Sequence, residues 1–181
     1  MSNYRRTRVG GASYFFTLIA YRRRPILCDD IVRQALRNAV ETTRKEHPFS
    51  IDAWVVLPDH LHCIWTLPPD DADFPLRWSK IKRRTSMACR EAYRDDHLST
   101  PSRRKRREST LWQRRYWEHM IRDEDDFVRH MDYIHYNPVK HGLAAKAGDW
   151  PYSTFHRLVA NGTYPENWAG VAAYGAIRAG E

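Results

Sequence analysis

Cysteine is scarce in this chain of 181 residues, where only Cys28, Cys63 and Cys89 occur. They are odd in number, far apart and without a C-x-x-C pair, which argues against a disulfide framework and a thiolate zinc site. Long apolar runs are absent, so no stretch reaches the ~20 residues that cross a bilayer as a helix. The opening residues "MSNYRRTRVGGASYFF" lack the long apolar core of a secretory signal. Clustered carboxylates of the kind that hold two metal ions in nucleases are missing too, and there is neither an internal repeat nor a low-complexity tract. The expectation is one soluble, cytoplasmic domain with no membrane partner, spanning 1–181, its core over about 4–142 and its tail over about 143–181.

Positive charge is what the chain has in excess. Thirty Lys and Arg against 22 Asp and Glu give a formal charge of +8, which points to a polyanion. The cations cluster: Arg5 and Arg6 in "YRRTR", Arg22 and Arg23 in "YRRR", Lys82, Arg83 and Arg84 in "KIKRR", and Arg114 and Arg115 in "QRR". Tyr4, Tyr14, Trp78, Trp112, Tyr116 and Trp117 are interleaved with them. Cations neutralise phosphates while aromatic faces stack unpaired bases, the combination that suits single strands and hairpin edges. Any one cluster alone is more often a solvated face; together they favour nucleic-acid binding.

Hydrophobic patterning predicts the elements. "ASYFFTLIAY" (12–21) reads as a strand, and "DDIVRQALRNAVETTRKEH" as a helix with Asp29 and Asp30 as caps and Ile31, Ala35, Leu36, Ala39 and Val40 at helical spacing. "SIDAWVVLP" and "HLHCIWTLP" form two strands joined by a short turn. After the loop "PDDADFP", a second helix carries Leu76, Ile81, Met87, Ala88 and Ala92; residues 95–110, with five consecutive basic residues, show no periodicity and read as a mobile loop. A fourth strand falls around Tyr116 to Ile121, and Asp123 caps a third helix that runs to Pro138, with Gly142 as a stop. The order strand, helix, strand, strand, helix, strand is that of a ferredoxin-like split βαβ core: an α+β fold whose antiparallel sheet carries its helices on one face. The third helix is extra to that core, and the tail resists assignment.

Two patterns carry chemistry. His60 and His62 project to the same side of a strand, where two imidazoles can hold a divalent metal. In "FVRHMDYIHYNP", Phe127, Met131 and Ile134 form an apolar stripe, while His130, Tyr133 and Asn137 share a neighbouring one at the edge of the buried face. If that helix packs on the histidine face, a metal can collect His60, His62 and the Asn137 amide oxygen with Tyr133 beside it. A phenol with a pKa near ~10 is a poor nucleophile and a phosphodiester repels anions, so a cation on a nonbridging oxygen would assist attack. Tyr136 is a rival nucleophile on the other flank of the helix.

"WVVLPDHLHCIWTLP", "QRRYWEHMIRDEDDFVRHMDYIHYNPVKHGL" and "DWPYSTFHR" together resemble the REP-associated tyrosine transposases, bacterial relatives of the single-tyrosine HUH transposases, over about residues 4–168. The resemblance implies the ferredoxin-like fold, His60 and His62 as metal ligands, and Tyr133 as nucleophile. It further implies cleavage of single-stranded DNA beside REP-type hairpins through a 5′-phosphotyrosine, with Mg2+ or Mn2+ as cofactor. Where the wider group has a glutamine one turn after the nucleophile, this chain has Asn137, so the third ligand stays open between Asn137, His130 and water. The implied enzyme is nucleoid-associated and a monomer or homodimer. The alternatives are a noncatalytic hairpin-binding module and, behind it, a metal-dependent nuclease using water. The tail is expected to cover the active site.

Overall fold

The computed structural model describes residues 9–93, 95–98, 100–106 and 109–170. Tyr4, Arg5 and Arg6 of the first basic cluster, Arg107 of the basic run and the end of the tail lie outside them. Strand β1 (Ser13–Ile19) alternates Tyr14, Phe16 and Leu18 on one face with Phe15 and Thr17 on the other. Helix α1 (Asp30–Glu46) follows, then the hairpin of β2 (Ser50–Val56) and β3 (His60–Thr66), closed by a bond from the Leu57 N–H to the His60 carbonyl at 2.8 Å. Helix α2 (Phe74–Ala88) leads through the short turns α3 (Arg90–Tyr93) and α4 (Pro101–Lys105) to β4 (Trp117–Met120). Helix α5 (Glu124–Lys140) and the short α6 (Phe155–Ala160) complete the described chain.

All strand pairs are antiparallel and the order is β2-β3-β1-β4, the split βαβ arrangement that the element order predicts. One face is covered by α1 and α2 over an aromatic core in which Trp65 and Trp78 stack at 4.0 Å and Phe16 packs against Trp65 at 5.1 Å. The other face receives α5, through Phe15, Val55, Ile64, Met131 and Ile134. Among the described residues no helix is long and apolar enough to cross a membrane.

Several expected core positions are corrected. Val32, not Ile31, enters the core; Ile31 is 55% exposed, because the stripe continuing through Leu36, Ala39, Val40 and Thr43 passes over Val32. On α2 the buried stripe is Phe74, Arg77, Trp78, Ile81 and Thr85, which leaves Leu76 and Met87 exposed. That helix begins earlier than expected, since Asp73 caps it by accepting from the Leu76 N–H at 3.2 Å and Pro75 suits the first turn. Pro138 lies inside α5 rather than ending it. In the last turn it forfeits one backbone bond, and the chain closes at Gly142 (φ 68°), with the Leu143 N–H reaching the Pro138 carbonyl at 2.8 Å.

The basic segment read as a loop contains the α4 turn. Arg103 is buried there, its guanidinium 3.9 Å from the Tyr21 ring centroid and bonded to the Ser109 carbonyl. The described tail has firm attachments: the Val56 N–H donates to the Tyr152 carbonyl at 2.9 Å, the Trp150 indole to the Val56 carbonyl at 2.9 Å, and the Trp54 N–H to the Thr154 hydroxyl at 2.8 Å. Its contacts run along β2 and the outer flank of α5, where Trp168 and the backbone of Gly170 meet Tyr136, rather than over the histidine pair as expected of the tail. A Cβ at Gly170 would stand 2.4 Å from the Tyr136 ring, so only glycine fits that approach.

Candidate active site

The histidines come to the α5 side of the sheet through strand register. Thr17 pairs with His62 and Ile19 with His60, which puts both imidazoles on the face of Phe15 and Thr17. Both are buried, with ring centroids 4.9 Å apart. Each is held through its Nδ1. The His60 Nδ1–H donates to the Asp59 carboxylate at 2.6 Å, and Asp59 in turn accepts from Arg23 at 2.9 Å. Burial opposes ionisation of Asp59, yet the His60 hydrogen bond and the Arg23 guanidinium outweigh it and hold this carboxyl below the usual carboxylate range. The His62 Nδ1 lies 2.9 Å from the Thr17 hydroxyl.

That anchoring leaves the His60 Nε2 buried without a hydrogen-bond partner. An imidazole whose Nδ1–H is fixed by a carboxylate and whose Nε2 lone pair is unsatisfied fits a metal ligand.

Helix α5 supplies the rest. Asp123 caps it by accepting from the Asp126 N–H at 2.8 Å, and the acidic first turn suits the helix dipole. The stripe of His130, Tyr133 and Asn137 is not at the edge of the buried face but inside it, because the sheet contact is broad enough to bury both stripes. Tyr133 is 2% exposed; its ring centroid lies 5.3 Å from His62 and 6.0 Å from Phe15. Asn137, one turn on, is fully buried. The rival Tyr136 points to the opposite flank, against Trp168.

Three features escaped the sequence reading. Lys140 donates to the Tyr133 hydroxyl at 3.1 Å, and the His141 ring lies 5.2 Å from His60; their signal was their place two turns beyond Tyr133 in "YIHYNPVKH". The third is a cluster of His119, Asp126 and His130 whose potential ligand atoms lie within 4.8 Å of one another. Its bonding is that of a clip between β4 and α5. The His119 ring is 2.8 Å from the Asp126 carboxylate, which also accepts from the Arg122 N–H and faces the Arg122 and Arg129 guanidiniums. The His130 Nδ1 is 2.8 Å from the Asp126 carbonyl, to which it donates. Burial works against the Asp126 charge, but the His119 bond and these neighbours hold its pKa at about 2, while burial pushes His130 down and keeps it neutral. Two guanidiniums already face the carboxylate, and the His130 Nδ1–H on a backbone carbonyl fixes the orientation of that ring.

The basic clusters divide. Arg22, Arg23, Arg114 and Arg115 are exposed at the end of the sheet where His60 begins β3, since Gln113 bonds to Ile19, the partner of His60. Arg22 and Arg23 hold positive φ (58° and 52°), a strained turn stitched by the Ala20 N–H to the Asp59 carbonyl at 2.8 Å. Arg83 is exposed, but Lys82 donates to the Gln113 and Arg114 carbonyls at 2.6 and 3.1 Å, and Arg84 binds Thr43 and Glu46 of α1. In those two contacts α2 turns Lys82 toward neighbouring backbone carbonyls and Arg84 toward side chains of α1. Tyr14, Trp78 and Trp112 are buried in the core, so they are corrected as base-stacking candidates.

A buried histidine pair on a sheet, faced by a tyrosine on a separate helix, is the arrangement of the single-tyrosine HUH enzymes. The family model described as "Transposase IS200 like" matches residues 8–137. A REP-associated tyrosine transposase of Escherichia coli K12 is 45% identical over 170 residues, covering 94% of this chain and 92% of that one. A Haemophilus influenzae relative is 42% identical over 94% of both. A solved structure, "Structure of the REP associates tyrosine transposase bound to a REP hairpin", superposes with a TM-score of 0.84 at 44% identity, covering 100% of this chain and 98% of that one. The chain belongs to the IS200-like transposases, in their REP-associated tyrosine transposase branch. IS200-like HUH transposases are DNA-cleaving enzymes and in general metal-dependent.

Proposed function

We propose that this single-domain protein is a site-specific transposase or endonuclease for single-stranded DNA bearing REP-type hairpins, acting in the cytoplasm at the nucleoid. Tyr133 is the nucleophile. His60 and His62, with Asn137, would hold a divalent ion, Mg2+ or Mn2+, which would supply charge withdrawal and orientation at the scissile phosphate. The observation that carries the reading is the Tyr133 ring standing 5.3 Å from His62 on the face that also bears His60.

The chemistry follows from the residues. Tyr133 Oη forms a bond to phosphorus as the bond from phosphorus to the 3′ oxygen breaks, giving a 5′-phosphotyrosine and a free 3′ hydroxyl. The bond energy is kept in the protein–DNA link, so a 3′ hydroxyl can later displace Tyr133 and reseal a strand without an external energy source. Asp59 and Thr17 hold the two imidazoles, Asn137 stands one turn from the nucleophile, and Phe15 packs edge-on against the Tyr133 ring. Exposed Arg22, Arg23, Arg114 and Arg115 supply phosphate contacts at the same end of the sheet.

Labelled hairpin oligonucleotides incubated with wild type and Tyr133→Phe, with Mg2+ or EDTA, test the reading on a denaturing gel. Wild type is expected to leave a metal-dependent covalent adduct, and Tyr133→Phe to bind the hairpin with no adduct, a loss beyond about 10³-fold. Binding with no adduct in wild type would make the chain a noncatalytic module. Cleavage by Tyr133→Phe would transfer the reaction to water or Tyr136.

A further inference from the structure

We infer that Lys140 is a further catalytic residue of strand transfer: its ammonium balances the negative charge on the Tyr133 oxygen as that oxygen attacks phosphorus and again as it departs. The inference rests on the reading of Tyr133 as nucleophile. Lys140 Nζ lies 3.1 Å from Tyr133 Oη and 4.8 Å from the centroid of the Tyr133 ring, so one ammonium meets both the oxygen and the π face of the reacting group.

Helix geometry accounts for the pairing. Residues seven apart return to the same side of an α-helix after two turns, and side chains lean toward the helix N-terminus, so Lys140 leans back over the turn that carries Tyr133. A lysine in the last turn of α5 also complements the helix dipole. That structural role, however, does not require its nitrogen to stand on the reacting oxygen: Lys140 is exposed as a whole, yet it reaches back to a phenol whose ring is buried against Phe15 and His62.

In cleavage the phenol proton leaves to solvent, the Oη–P bond forms, the P–O3′ bond breaks and the 3′ oxygen takes up a proton from solvent. Lys140 keeps its own proton throughout. In rejoining the 3′ hydroxyl loses its proton to solvent as its oxygen attacks phosphorus, the P–Oη bond breaks, and the departing phenolate carries a full negative charge beside the Lys140 ammonium until it takes up a proton from solvent. A cation already placed on the oxygen needs no reorganisation as charge develops, and the burial of the Tyr133 ring limits screening on one side of it.

Single-turnover cleavage and rejoining at saturating hairpin DNA test this with wild type, Lys140→Met and Lys140→Arg, and with Tyr133 replaced by 3,5-difluorotyrosine in the first two. Lys140→Met is expected to slow both steps by about 10²-fold, with Lys140→Arg recovering most of the rate. Fluorination stabilises the phenolate by itself, so the deficit of Lys140→Met in rejoining should shrink to within roughly threefold in the fluorinated protein. A rate for Lys140→Met equal to wild type would overturn the inference. So would a deficit that vanishes at saturating DNA, which would make Lys140 a phosphate contact, or one unchanged by fluorination, which would make it a support for the helix end. Adduct formation by Tyr133→Phe in the same series would instead overturn the assignment of the nucleophile.

Discussion

The two faces of the sheet are built on opposite rules. Under α1 and α2 the core is aromatic and aliphatic, with Trp65, Trp78, Phe16 and Phe74 in mutual contact. The conspicuous polar intruder is Arg77, whose guanidinium is satisfied by Asp71 and by the carbonyls of His47, Pro48 and Asp73. Under α5 the same sheet buries His60, His62, Thr17, His130 and Asn137 near Tyr133, while His135 is buried on the tail side of the helix, 3.0 Å from the Thr154 hydroxyl. Desolvating so many polar groups costs stability unless each is partnered. One face therefore holds the protein together through apolar packing, while the other, on which the proposed site lies, buries polar and titratable groups at a cost in stability.

Mutations should separate the faces. Trp65→Ala is expected to cost ~3–5 kcal/mol in urea unfolding, with the folded fraction still forming the covalent adduct. A loss below about 1 kcal/mol would mean that the aromatic face is not the main source of stability.

The α5 face should instead show itself through pH. An unfolded imidazole takes up its proton near pH ~6.5, whereas burial holds His135 neutral down to about 4. The unfolded chain thus binds the extra proton across that window, and stability falls as pH drops through it, by on the order of 3 kcal/mol. Thermal unfolding of wild type and His135→Gln between pH 7 and 4 checks this: the variant should lose the His135 share of the slope and keep that of His130, whose pKa burial also lowers, and equal slopes would place the effect elsewhere.

A smaller effect is expected one bond away from the histidine pair. Asp59→Asn leaves His60 in place but weakens its anchor, so Mn2+ affinity measured by calorimetry should fall ~10–100-fold with hairpin binding intact. Unchanged affinity would remove Asp59 from the support of the site. The smallest effect belongs to Arg23→Ala. Its partly exposed ion pair with Asp59 should contribute under about 1 kcal/mol to stability, so an unfolding midpoint nearly equal to wild type is the expected result, and a larger loss would show the strained turn depending on that pair.

Local patterning made much of this legible. Alternation in "HLHCIWT" put His60 and His62 on one face, and the cap Asp123 with the acidic turn after it located α5. Helix stripes were harder, because Ile31, Leu76 and Met87 match a helical period as well as the residues that are buried, and periodicity alone does not say which way a helix rotates against its sheet. The tail was unreadable for a similar reason. It is held by single bonds from Thr154, Trp150 and Tyr152 to β2, contacts about a hundred residues apart in sequence that leave no local period.

By itself, the sequence determined the periodicities, the caps and the charge, since these depend on neighbours a few residues away, and through them the split βαβ order and the identity of the paired histidines and the tyrosine. The tertiary structure alone decided which face α5 covers, which aromatics are core rather than base-stacking surface, and which cations are spent on backbone carbonyls. It alone brought Lys140 to Tyr133 and Arg23 to the carboxylate that holds His60. Those pairings depend on how whole elements dock, and docking is set by the summed burial of many side chains rather than by any local pattern.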